Sequence, residues 1–203
     1  MKWKNNNPWS LKFNTAALVL IPAGVGINYI GKLFAGVLKL PLWLDSIGTC
    51  LAACLAGPVV GAIVGVMNNV IYGLTVDPIA TVYALTNAAL GITVGIMAYY
   101  GMMRKLSGAI VTGLVAGFAA VVVSTPLNII FWGGTTGNLW GDLLYAWMVA
   151  HDSPVWLASF MDEVVVDIPD KLVVLLLVLS LYKSLPKSLL SLYQSNSAIE
   201  SLD

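Results

Sequence analysis

Glu163, Asp167, Asp170 and Lys171 recur at three- and four-residue steps, which places carboxylates and an ammonium on one face of a helix. Asp162 adjoins them, and Asp167 with Lys171 makes an i,i+4 pair in the favoured order, acid first. In apolar surroundings such a cluster has two readings: an ion pair that neutralises a buried face, or part of a pocket for a polar solute. The amides Asn28, Asn68, Asn69, Asn87 and Asn128 stand within or near the ends of apolar stretches, where they serve as interhelical glue or as ligand contacts. Asn69, Tyr72, Tyr83 and Asn87 gather toward the same end of two neighbouring stretches and are candidates for one site. Residues 131–142, FWGGTTGNLWGD, interleave aromatics, glycines and hydroxyls. That mixture suits a lid over a small, partly aromatic solute, and equally an aromatic anchor at a membrane interface.

Enzymatic signatures are lacking. Residues 26–32, GINYIGK, match the first part of a phosphate-binding loop, but Leu33 replaces the hydroxyl residue that would hold magnesium and no strand precedes the glycines. Neither HExxH nor GxSxG occurs, and His151 is the single histidine. Cys50 and Cys54 lie one turn apart in an apolar run, a poor geometry for a disulfide, and read as small core residues. No catalytic group, metal or cofactor is expected.

The elements that must position these side chains are membrane spans. Of 203 residues 59% are hydrophobic and 10% charged, with a mean hydropathy of +0.87; a soluble domain carries about 25% charged residues. A formal net charge of zero argues against a nucleic-acid partner. A hydrocarbon core takes roughly 20 helical residues per crossing, and on that ruler the chain predicts an all-α membrane protein, a six-transmembrane-helix bundle. The spans fall at about 13–38, 45–55, 58–72, 82–102, 108–130 and 157–185. Asp45-Ser46 is the expected N-cap of the second. Gly57-Pro58 ends that span, Asp77-Pro78 forms a turn, and 131–156 is a long Trp- and Gly-rich connection. The bundle occupies 1–186 and a polar cytoplasmic tail 187–203. The basic start reads as a first span rather than a cleaved signal, because no small-residue cleavage site follows.

With six spans both termini share a side, which receives Lys2, Lys4, Lys12, Arg104, Lys105, Lys183 and Lys187. Asp45, Asp77, Asp142, Asp152, Asp162 and Glu163 fall on the other, with Lys39 as its clear cation. Both termini are therefore expected in the cytoplasm. Trp3 and Trp9 flank the inner end of span one, while Trp43, Trp132, Trp140, Trp147 and Trp156 gather outside. Lys32, inside span one, is read as snorkelling to the interface. Gly57, Gly61 and Gly65, then Gly91 and Gly95, then Gly113 and Gly117, form small-residue stripes suited to close helix packing rather than to docking a separate subunit.

Several segments together resemble the substrate-binding S components of energy-coupling-factor (ECF) vitamin transporters. These are LPLWLDSIGT at 40–49, GPVVGA at 57–62, Asn68-Asn69, FWGGTTG at 131–137 and DIPDK at 167–171. The resemblance spans about 16–186. It implies a six-helix bundle in the bacterial cell membrane that binds a vitamin or precursor from outside under the loops after spans one, three and five. It also implies a transmembrane coupling subunit and two cytoplasmic ATPases as partners. On this reading Asp45, Asn69, Tyr72, Tyr83, Asn87, Asn128, Trp132, Asp170 and Lys171 are the ligand-binding candidates. A pyridoxine- or hydroxymethylpyrimidine-like ligand is favoured, with cobalamin or another vitamin open. The family's Ala-xxx-Ala docking motif on span one has no strict copy in that span; Ala16 and Ala17 are the nearest small residues at its inner end. A membrane sensor or scaffold without small-molecule cargo is the alternative.

Overall fold

A computed structural model describes Trp9 and residues 15–194. Lys2, Trp3, Lys4 and Lys12, on which part of the expected orientation rests, lie outside the described residues. The described chain is helical throughout: α1 (Thr15–Val37), α2 (Ile47–Ala56), α3 (Pro58–Thr75), α4 (Ala84–Tyr99), α5 (Leu106–Trp132), α6 (Leu139–Ala150), α7 (Val155–Ser184) and α8 (Lys187–Gln194). Short 3-10 turns at Pro78–Thr81 and Met102–Arg104 join α3 to α4 and α4 to α5.

By length and apolarity α1, α3 and α5 are able to cross a membrane. Helix α2 has 10 residues, about 15 Å at 1.5 Å per residue, half of a hydrocarbon core. Its span from Gly48 to Leu55 is buried on every side, as an all-apolar helix requires. It packs against α1, α3, α4 and α7 and forms the centre of the molecule. Around it the core collects Cys50, Cys54 and Leu55 with Val60, Val64, Leu90, Val94, Val174 and Val178. Helix α5 leaves Val111, Leu114, Val115, Phe118 and Val122 exposed, an apolar face suited to lipid.

The start of α2 differs from expectation. Ser46 stands at the N-cap position, yet its side chain makes no capping bond, and its buried Oγ lacks a partner among the described residues. The cap is supplied from α1 instead. Asn28 Oδ1 accepts from the Gly48 and Thr49 amides at 2.6 and 3.3 Å, and its Nδ2 donates to Thr49 Oγ1 at 2.8 Å. An amide from another helix thus satisfies donors that the first turn cannot pair internally. Asn28 is glue.

The glycine stripes are used inside the chain. A Cβ on Gly61 would lie 2.6 Å from Ala53 Cβ of α2, and one on Gly91 would lie 2.5 Å from the Gly61 carbonyl carbon. Gly113 and Gly117 face Leu172 and Ile168 of α7. Helices approach this closely only where one side carries no side chain.

The long connection expected at 131–156 is also corrected. Helix α5 runs on to Trp132, and 139–150 forms α6. The turn between them is irregular, with Gly133, Gly134 and Gly137 at positive φ, which glycine adopts without steric penalty, and a short link at 151–154 joins α6 to α7. Asn138 caps α6 by accepting from the Trp140 amide at 3.1 Å. The match of 26–32 to a phosphate-binding loop lies within unbroken α1. After Pro186, α8 folds back so that Leu190 and Tyr193 pack against the core.

Candidate functional site

Three connections converge at one end of the bundle, and each is tied down by a carboxylate or an amide. In the α1–α2 loop, the Trp43 and Leu44 amides donate to Asp170 Oδ1 of α7 at 3.1 and 2.9 Å. In the α3–α4 connection, Asn69 Nδ2 donates to the Ala80 carbonyl at 2.9 Å, and Asp77 Oδ1 accepts from the Ile79 amide at 3.1 Å. In the α5–α6 turn, Asp142 Oδ1 accepts from the Thr136 amide at 2.9 Å, while Thr136 Oγ1 donates to Asp162 Oδ1 at 3.0 Å.

Beneath these connections lies a cavity with about 100 Å³ of room for the centres of water-sized molecules. Its wall takes Lys32 from α1, Trp43 and Asp45 from the first loop, Asn69 from α3, and Asp77, Ile79 and Ala80 from the second connection. Tyr83, Thr86, Asn87 and Leu90 come from the start of α4, Ser124 from α5, Thr136 from the third connection, and Glu163, Asp167 and Lys171 from α7. The apolar core adjoins the cavity through Leu90.

The charges form two knots. Lys171 Nζ lies 2.6 Å from Asp170 Oδ2 and 3.3 Å from Asp167 Oδ1, all of them buried. Removing one member of such a buried set leaves an uncompensated charge in low dielectric, so the set holds together as a unit. Lys32 Nζ lies 3.4 Å from Asp45 Oδ2 and 4.6 Å from the centroid of the Tyr72 ring, close enough for a cation–π contact. It is turned into the bundle, not drawn out along the helix toward an interface. A third chain of bonds runs across the floor. The Tyr83 hydroxyl donates to Asn128 Oδ1 at 2.5 Å, and Asn128 Nδ2 donates to Glu163 Oε1 at 2.6 Å. The Tyr83 ring stacks on Trp132, with centroids 5.5 Å apart and planes inclined by 16°.

Of the residues nominated from sequence, Asp45, Asn69, Tyr83, Asn87 and Lys171 line this cavity. The others stand directly behind it. Tyr72 underlies Lys32, Asn128 joins Tyr83 to Glu163, Trp132 backs the Tyr83 ring, and Asp170 spends both oxygens on Lys171 and the first loop. Lys32, Trp43, Asp77, Thr86, Ser124 and Thr136 also line the cavity without being among the sequence candidates, as do Glu163 and Asp167, which stand out in the sequence only as part of the acidic helix face. The signals were a cation inside an apolar helix and the four-residue step from Glu163 to Asp167. At the opposite end, Ala17 is buried and α8 covers the start of α1. The Tyr193 hydroxyl donates to the Ala16 carbonyl at 3.4 Å, and burial raises its phenol above the ordinary value.

The arrangement can hold a small polar solute between aromatic and hydrogen-bonding walls. No curated protein and no solved structure matches the chain. The family described as ECF transporter, substrate-specific component matches residues 16–193. The chain therefore belongs to the substrate-specific components of ECF transporters, the subunits that bind the transported molecule.

Proposed function

We propose that this chain is a vitamin-binding S component in the bacterial cell membrane, crossing the bilayer six times with both termini cytoplasmic. The cavity is its ligand site, and the connections after α1, α3 and α5 open and close it. The observation that carries this reading is the convergence of those connections over a space walled by buried amides, ion pairs and a stacked Tyr83–Trp132 pair. Asp45, Asn69, Tyr83, Asn87 and Lys171 contact the ligand, while Tyr72, Asn128, Trp132 and Asp170 hold them in place. A single water occupies about 10–15 Å³, so a cavity open to water centres over about 100 Å³ has room for a small ring-sized solute. A pyridoxine- or hydroxymethylpyrimidine-like ring is of that size; cobalamin is far larger. Lacking a phosphate-binding loop, the chain takes its energy from a transmembrane coupling subunit and two cytoplasmic ATPases. The coupling face is proposed at the inner end of α1 beside Ala16, with Ala17 beneath it in the core.

Mass spectrometry of small molecules released from the purified protein tests this directly. A vitamin or precursor is expected, with saturable rebinding and co-purification of the coupling protein and ATPases. Trp132→Ala is expected to weaken rebinding about tenfold, the size of a lost aromatic contact, and to leave membrane insertion intact. Finding neither a released ligand nor saturable binding across a vitamin panel would defeat the reading in favour of a sensor or scaffold.

A further inference from the structure

The cavity offers more acceptors than its own donors satisfy. We infer that its ligand is an organic cation or a protonated ring base, anchored by Glu163 and Asn87. The inference rests on the cavity being the ligand site.

Lys32 and Lys171 are its cations, against Asp45, Asp77, Glu163 and Asp167. Lys32 is engaged with Asp45, and Lys171 is shared between Asp167 and Asp170. Asp77 sits half-buried at the rim and caps its own turn. Glu163 is 3% exposed, and among the described residues no lysine or arginine bridges it. Its carboxyl group meets the neutral amide of Asn128 and the neighbouring carboxyl group of Asp167, and neither supplies a positive charge. A buried carboxyl group in that position is stabilised by a positive neighbour.

Asn87 gives an independent sign. Its orientation is dictated by a relay: the Ala80 carbonyl requires Asn69 Nδ2, so Asn69 Oδ1 turns to Asn87, which must present Nδ2 at 2.8 Å. The remaining Asn87 Oδ1 is buried on a residue 5% exposed and has no partner among the described residues. An unmet buried acceptor calls for a donor. Tyr83 cannot provide one, because its hydroxyl proton is committed to Asn128; it contributes a ring face, which favours a cation. A ligand with N–H groups on a positive ring meets all three requirements. An anionic ligand brings no positive charge to Glu163 or to the Tyr83 ring and would face like charge.

The test uses the full chain in lipid nanodiscs at neutral pH. Wild type and Glu163→Gln are titrated with aminohydroxymethylpyrimidine, pyridoxine, pyridoxate (the pyridoxine ring bearing a carboxylate), biotin and pantothenate. Gln keeps the shape and removes the charge. At least one ring base is expected to bind saturably, to bind at least tenfold more weakly to Glu163→Gln, and to resist competition by biotin or pantothenate. Pyridoxate is expected to bind wild type at least tenfold more weakly than pyridoxine, an arm independent of whether the variant folds. If a carboxylate probe binds as tightly as the ring bases, or Glu163→Gln binds them unchanged, the charge assignment falls and the S-component reading stands. If no vitamin binds at all, both fall together.

Discussion

At the scale of single residues, Lys171 shows how one side chain serves several neighbours. Its ammonium bridges Asp167 and Asp170, and Asp170 in turn grips the first loop. Lys171→Met is expected to destabilise the protein by about 3–5 kcal/mol, because two buried carboxylates lose their counter-ion. Lys171→Met combined with Asp167→Asn should lose less, since fewer charges then stand unpaired. Thermal unfolding in detergent measures both, and an unaltered midpoint for the single variant would refute the account. The i,i+4 spacing made the Asp167–Lys171 pair legible in sequence. Partners far along the chain were not: Asn128 meets Glu163 across 35 positions, and Lys32 meets Asp45 only because the first loop folds back over α1. Spacing reports a shared helical face; it carries no information about which other helix that face will meet.

At the scale of elements, lipid makes the long helices easy to read and the special ones hard. Apolar runs over α1, α3 and α5 announce themselves, because backbone groups in hydrocarbon must pair within the segment. The glycine stripes announce close packing, and each finds a partner helix. Gly91→Ala is expected to destabilise by about 1–3 kcal/mol, the overpacking range, since its Cβ would press on the Gly61–Ala62 peptide. Gly36→Ala, with nothing within 4 Å of its Cβ, should be neutral or stabilising by up to about 1 kcal/mol from helix propensity. Similar losses in both would show that propensity, not contact, governs these sites. Helix α6 was hidden because its Trp- and Gly-rich approach has the composition of a loop. The residue that starts it, Asn138, acts through one bond that composition does not register. Likewise the cap on α2 comes from Asn28, on another helix, where a local rule looked to Ser46.

At the scale of the molecule, the two ends differ in kind. One gathers Asp45, Asp77, Asp142 and Glu163 with the cavity, and the other presents Arg104 and Lys105 at the α4–α5 junction. Cysteines placed at Trp140 and at Lys105 should react with impermeant thiol reagents from opposite sides of the membrane; Cys50 and Cys54, both buried, give little background. Labelling of both from one side would overturn the proposed orientation. The bonds from Asp170 to Trp43 and Leu44 reach across 127 and 126 positions. Because a ribosome delivers the chain from its beginning, the first loop emerges long before the residue that fixes it. During biogenesis the mouth must therefore wait, unfinished, until α7 joins the bundle, and a nascent chain stopped short of it would lack the carboxylate that holds the first loop in place.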